Sequence, residues 1–247
     1  MELYDEELDA ETYRVGIHTY PHLEPVMSGP AQMIKNIEKV SRKILRDNKL
    51  LVTLGGEHSI TYGVTKALKE KYPKLSVLQF DAHADLRNSY QETKYNHACV
   101  MRRVCEIAPS VQLGIRSITL EETRFIKKNK KKINVVYAKE LQEDFHCYKN
   151  AVSYLSEDVY VTIDLDFFDP SVMPAVGTPE PGGFGWYEVL KILKYVCKSK
   201  RVVGFDVMEL SPHFGNVAPD FFAAKLVYKF LGYIFHSGKS EKPEGGS

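Results

Sequence analysis

Leu75-Ser76-Val77-Leu78-Gln79-Phe80-Asp81-Ala82-His83-Ala84-Asp85 joins an apolar run to a burst of charge, and its reading decides the fold. The run has the length of a buried strand. Strand alternation would then place Asp81, His83 and Asp85 on one face where the strand ends. Two carboxylates and an imidazole brought together are costly to bury unless a positive charge sits among them. A divalent cation answers that need.

Working outward, similar runs recur at Leu50–Leu54, Val111–Ile115, Ile133–Tyr137, Val159–Ile163 and Val202–Val207. They alternate with stretches of helical period, among them Ile60–Lys71, Leu120–Lys128, Trp186–Cys197 and Ala218–Phe235. Such alternation predicts βαβ units around a parallel sheet, an α/β fold. Upstream, Thr12–Ile17 reads as a weak strand. Ser28 reads as the N-cap of a helix with Pro30 in its first turn and an apolar stripe of Met33, Ile37, Val40, Ile44 and Leu45. Residues 1–247 are read as a single domain, with an irregular segment over 1–27 and a disordered tail over 238–247.

Composition narrows the partners. Lys and Arg number 33 against 32 Asp and Glu, so no basic excess argues for nucleic acid. The run Lys127–Lys132 reads as a solvated helix end and loop. Cys99, Cys105, Cys147 and Cys197 are widely spaced and form no CxxC pair, as expected of reduced thiols in a cytoplasmic protein. No apolar run approaches the ~18 residues of a membrane span, and the acidic start lacks a signal peptide's basic region.

In a parallel α/β sheet, ligands bind beyond the carboxyl ends of the strands. Four of those ends are loaded: Gly55-Gly56-Glu57-His58-Ser59, Asp81–Asp85, Asp164-Leu165-Asp166, and Met208-Glu209-Leu210. Carboxylates with one or two imidazoles suit manganese or another six-coordinate first-row ion. Calcium prefers all-oxygen shells, and structural zinc prefers Cys and His. So many ligands exceed what one open ion needs; two ions about 3.5–4 Å apart would share them and hold a hydroxide between them. That is a hydrolase centre.

The blocks GGEHS (55–59), DAHAD (81–85), IDLDFFDPS (163–171), Met173–Gly183 and FDVMELSP (205–212) together resemble the signature of the ureohydrolases, the arginase and agmatinase family. Order and spacing agree from about Leu50 to Tyr233. The resemblance implies a three-layer α/β/α fold with a central, mostly parallel sheet. It implies two manganese ions, one held by His58, Asp81, Asp85 and Asp164 and the other by Asp81, His83, Asp164 and Asp166, with Asp81 and Asp164 bridging. It also implies a trimer or hexamer, and a further strand and glycine-rich loop upstream of what aligns with Tyr4.

Within that frame Glu209 is expected to grip the substrate's guanidinium, which stays protonated and pairs best with a carboxylate fork. Asp85 would orient the hydroxide and pass its proton to the departing amine, with His97 as proton shuttle or substrate contact. Glu180 and Asn96 are expected at the substrate rim. The segment Ser89–Asn96 does not look like the amino-acid-reading loop of arginases, while Gly114–Ser117 followed by Glu121 and Glu122 looks more like agmatinases. The expected substrate is therefore agmatine, giving putrescine and urea. Guanidinobutyrase and arginase are close rivals, formiminoglutamase ranks below them, and a catalytically silent metal-binding homologue or a zinc deacetylase is more distant.

Overall fold

The computed structural model describes residues 1–236; the expected tail over 238–247 lies outside them. A small antiparallel pair, β1 (Tyr4–Asp5) and β2 (Ala10–Glu11), comes first. Then follow α1 (Pro30–Arg46), β3 (Leu51–Leu54), α2 (Thr61–Lys71), β4 (Ser76–Phe80), α3 (Val100–Ile107), β5 (Ser110–Ile115), α4 (Leu120–Lys128) and β6 (Ile133–Tyr137). The chain continues through α5 (Ala138–Glu143), α6 (Tyr148–Ser153), β7 (Asp158–Asp164), α7 (Trp186–Ser199), β8 (Arg201–Met208) and α8 (Ala218–His236). Strands β3 to β8 form one six-stranded sheet in the order β3-β8-β7-β4-β5-β6, every pair parallel.

Side-chain alternation divides the interior into two cores. On β4, Val77 joins a cluster with Val64 and Leu68 of α2 and Val100 and Val104 of α3. Leu78 and Phe80 join the opposite cluster, with Leu193 of α7 and Leu226 and Phe230 of α8. Helices α1 to α4 thus cover one face and α5 to α8 the other, the three-layer arrangement anticipated. Because the strands run parallel, all their carboxyl ends reach the same rim.

Three local readings are revised. Thr12–Val15 is a 3-10 turn rather than a strand, packed against α8. Helix α1 is capped by Gly29, at φ 108°, and Ser28 makes no capping bond. Helices α3, α5 and α6 occupy stretches for which no element was anticipated.

The amino-terminal segment is tied to α8 through a buried ion cluster. Lys229 Nζ lies 2.7 Å from Asp5 Oδ1 and 2.8 Å from Glu7 Oε2, and the Tyr233 hydroxyl donates to Glu7 at 2.7 Å. Although partial burial opposes its charge, the Glu7 carboxyl is held down to about 2 by Lys194, Lys229 and Tyr233. Lys229→Ala leaves Asp5 buried without its cation. It should cost about 3 kcal/mol, the lower end for a broken buried pair, and lower the thermal midpoint by about 6–12 °C. A depressed carboxyl stabilises the fold fully above its ordinary 4.5 and progressively less as pH falls towards 2. The gap between wild type and variant should therefore narrow over that window; a gap independent of pH would contradict the assignment.

Candidate metal centre

Four strand ends deliver the site. Beyond β3 a 3-10 turn carries His58, whose backbone N–H donates to Glu209 Oε1 at 2.6 Å. At the end of β7, Asp164 closes the next turn by accepting the Asp166 N–H at 2.9 Å. Beyond β4, Asp81 accepts from Gln79 Nε2 at 2.6 Å and from the His83 N–H at 2.5 Å. Asp166 in turn accepts the Ala82 N–H at 2.9 Å and meets His83 Nδ1 at 2.8 Å. Glu209 and Asp166 are oriented by the backbone of a neighbouring strand end, Asp81 and Asp164 by the backbone of their own turn.

Simple alternation does not account for Asp85. The strand stops at Phe80, and Asp85 adopts φ 54°, in the left-handed region that non-glycine residues avoid. This turn separates the side chains expected on one face: His83 goes to Asp166, and Asp85 goes to His58. Glu209, at the end of β8, is also left-handed at φ 65°, pinned by its own N–H to Gly56 O at 2.8 Å. Strain held at two converging residues is characteristic of functional sites.

The outcome is two groups with a common member. His58, Asp81 and Asp85 place ligand atoms within 4.8 Å of one another, and so do Asp81, His83 and Asp166. Asp164 Oδ2 lies 3.2 Å from His58 Nδ1. That nitrogen carries the test of whether a cation fits. His58 is fully buried, and its Nδ1 has no hydrogen-bond partner while facing Asp164, Asp81 and Asp85 oxygens at 3.2, 3.3 and 3.5 Å. Its other nitrogen, Nε2, is engaged by Thr162 Oγ1 at 2.8 Å. An orphaned lone-pair position facing three carboxylates is the donor set of a divalent ion.

Electrostatics agree. Burial opposes charge on His58, yet Asp164, Asp81 and Asp85 push its imidazole well above the ordinary range. Burial and the neighbouring Asp166 and Asp81 push Asp164 well up, and burial with Asp81 pushes Asp85 up to about 7. Carboxylates crowded in this way hold protons unless a cation takes their place.

Above the cluster opens a cavity of about 370 Å³, lined by Asp85, Arg87, Tyr90, His97, Thr178 and Glu209 among others. His97 Nδ1 meets Glu57 Oε1 at 3.1 Å at the mouth, and Arg87 stacks its guanidinium 4.6 Å above the Tyr90 ring. Glu180 Oε1 stands 3.8 Å from His83 Nε2. Asn96 is not among the lining residues; its side chain accepts the Ala98 N–H at 3.1 Å and caps the turn that presents His97.

Arg116, within the Gly114–Ser117 stretch, has a role that its local sequence does not announce. Its Nη2 donates to Asp166 O at 2.6 Å and Glu180 O at 2.9 Å, and its Nε to Pro181 O at 3.0 Å. One guanidinium thus fastens the Glu180 loop to the turn after β7 that carries Asp166. Gly183 allows the same loop to lie close, since a Cβ there would come within 2.5 Å of Asp169 N. Glu57, Thr162 and Asp206 likewise carry no signal of their own in the sequence, although each lies inside or beside a quoted motif.

The sequence model of the arginase family matches residues 1–232. An N(1)-aminopropylagmatine ureohydrolase from Synechocystis sp. is 40% identical over 242 residues, which span 94% of this chain and 78% of that protein. An agmatinase from Pyrococcus horikoshii is 41% identical over 212 residues, 85% of this chain and 70% of that protein. Among solved structures, the agmatine ureohydrolase of Thermoplasma volcanium superimposes with a TM-score of 0.87 at 31% identity, covering 98% of this chain and 81% of that one.

Proposed function

The chain belongs to the arginase family, and from that premise we propose that it hydrolyses the guanidinium group of agmatine, releasing urea and putrescine. The observation that carries the reading is the buried, unpartnered His58 Nδ1 facing three carboxylates beside a second group that shares Asp81. His58, Asp81, Asp85 and Asp164 would hold one ion; Asp81, His83, Asp164 and Asp166 would hold the other. The carboxylate-rich donor set favours manganese. Two such ions, when bound, supply Lewis acidity and a water acidic enough to act as nucleophile near neutral pH.

The remaining work falls to side chains. With Oε1 steadied by the His58 N–H, Glu209 turns its free lone pairs to the cavity, where a guanidinium is best met by a carboxylate. Asp85 lies between His58 and the cavity, positioned to orient the attacking water and hand a proton to the leaving amine. The His97–Glu57 pair at the mouth can carry a different proton outward, the one released when the next water is deprotonated. Glu180, at the edge of the site, offers a charge to an ammonium tail.

A second reading has a specific observation behind it. The Synechocystis relative, named for aminopropylagmatine, spans more of this chain than the Pyrococcus agmatinase does. The two readings differ only in the tail the cavity admits. Urea release after manganese loading, measured on agmatine, N1-aminopropylagmatine, guanidinobutyrate and arginine, separates them. Agmatine is expected to give the highest kcat/KM. Preference for the aminopropyl compound would install the second reading, and arginine matching agmatine would overturn both.

A further inference from the structure

Behind His58 the sheet carries a buried polar layer that touches no part of the cavity. On β7, Tyr160, Thr162 and Asp164 share one face, opposite the apolar Val159, Val161 and Ile163. In register beside them on β8, Thr162 pairs with Asp206. Tyr160, Thr162, Asp206 and, at the start of α2, Thr61 are all fully buried. The Asp206 carboxylate has hydroxyl donors around it: Thr61 Oγ1 at 2.8 Å, the Tyr160 hydroxyl at 2.6 Å, and Thr162 beside them. The Thr61 and Tyr160 hydroxyls both donate to Oδ2, and Oδ1 has no hydrogen-bond partner.

The direction of these bonds has a consequence for His58. Thr162 owns one hydroxyl hydrogen and has two kinds of neighbour: His58 Nε2 at 2.8 Å, and the group of Asp206 and Thr61, whose Oγ1 lies at 3.4 Å. Thr61 spends its own hydrogen on Asp206 Oδ2, so it offers Thr162 an acceptor and no donor. Asp206 Oδ1, buried and otherwise without a partner, draws the same hydrogen. A Thr162 hydrogen drawn to Oδ1 points away from His58 and leaves a lone pair to receive the Nε2–H.

We propose that Asp206, acting through Thr162, is the positioning residue that keeps the ring proton of His58 on Nε2 and so leaves Nδ1 open to a metal ion. The inference rests on His58 being a ligand, as argued above, and adds a cause for it. Asparagine at 206 would reverse the chain. Its amide donates to Thr162, the hydroxyl turns to Nε2, and the proton moves to Nδ1, where it blocks the ion. Outer partners of ligating histidines typically change metal affinity by about 10- to 100-fold.

The test compares manganese binding by the full-length wild type, Asp206→Asn, Thr162→Val and Thr162→Ser, using equilibrium dialysis and electron paramagnetic resonance at stoichiometric manganese, with thermal melts as the folding control. Wild type and Thr162→Ser should bind a magnetically interacting pair of ions. Asp206→Asn and Thr162→Val should bind one of the two about 10- to 100-fold more weakly and give the signal of an isolated ion. If Asp206→Asn does not fold, the valine and serine variants decide by themselves. Wild-type affinity and signature in both Asp206→Asn and Thr162→Val, or equal losses in Thr162→Ser and Thr162→Val, would overturn the proposal while leaving the metal site standing. A wild type that takes up no manganese would overturn both.

Discussion

Asp81→Asn is expected to lower urea release by about 10³-fold or more and to leave fewer than two manganese ions per chain after desalting. Asp81 belongs to both ligand groups, so the substitution weakens both ions instead of one. Losing several kcal/mol of metal-derived stabilisation corresponds to that factor, at about 1.4 kcal/mol per decade. Its oxygens also organise the turn, taking Gln79 Nε2 and the His83 N–H. An asparagine can keep the second of these bonds through its carbonyl but has lost the charge. Metal content and kcat should therefore fall together. Full activity with two ions bound would remove Asp81 from the centre.

Glu209→Gln should separate binding of the substrate head from binding of metal. The glutamine carbonyl still accepts the His58 N–H, and position 209 already holds a side chain at φ 65°, so folding and manganese content should stay close to wild type. What disappears is the negative charge facing the guanidinium, leaving a desolvated cation without its partner. The loss should be about 3–4 kcal/mol, or 10²- to 10³-fold in kcat/KM. Steady-state kinetics with metal analysis on the same preparation checks this. A variant with unchanged kcat/KM would assign the guanidinium to another carboxylate, and Glu180 would be the next to examine.

Much of this could be read from the chain because the candidate site residues lie at or shortly after the ends of apolar runs. Parallel strands end on one rim, and the runs ending at Leu54, Phe80, Ile163 and Val207 become four neighbouring strands of the sheet, which brings His58, Asp81, Asp164 and Glu209 together. The readings that changed depend on contacts between distant parts of the chain. Asp85 reaches His58 through a left-handed backbone that nothing local dictates. Arg116 looks like any surface arginine until the loop near residue 180 folds over it. Thr162 and Asp206 looked like polar interruptions in strands, and their meaning appears only when β7 and β8 lie side by side. Thr12–Val15 had the composition of a strand but found no edge to join, packing on α8 instead.

The place of β8 in the sheet also sets a timetable for synthesis. Strand β3 pairs within the large sheet only with β8, which is made about 150 residues later, so β3 emerges from the ribosome with no strand to receive it. At ~5–20 residues per second, the interval is roughly 7 to 30 seconds. His58 and Asp81 are thus translated well before the strand that lies between β3 and β7, carries Asp206 and leads into Glu209. A nascent chain halted before Arg201 should neither retain manganese tightly nor resist protease around Leu51–Leu54. Both properties should arrive together once β8 clears the exit tunnel.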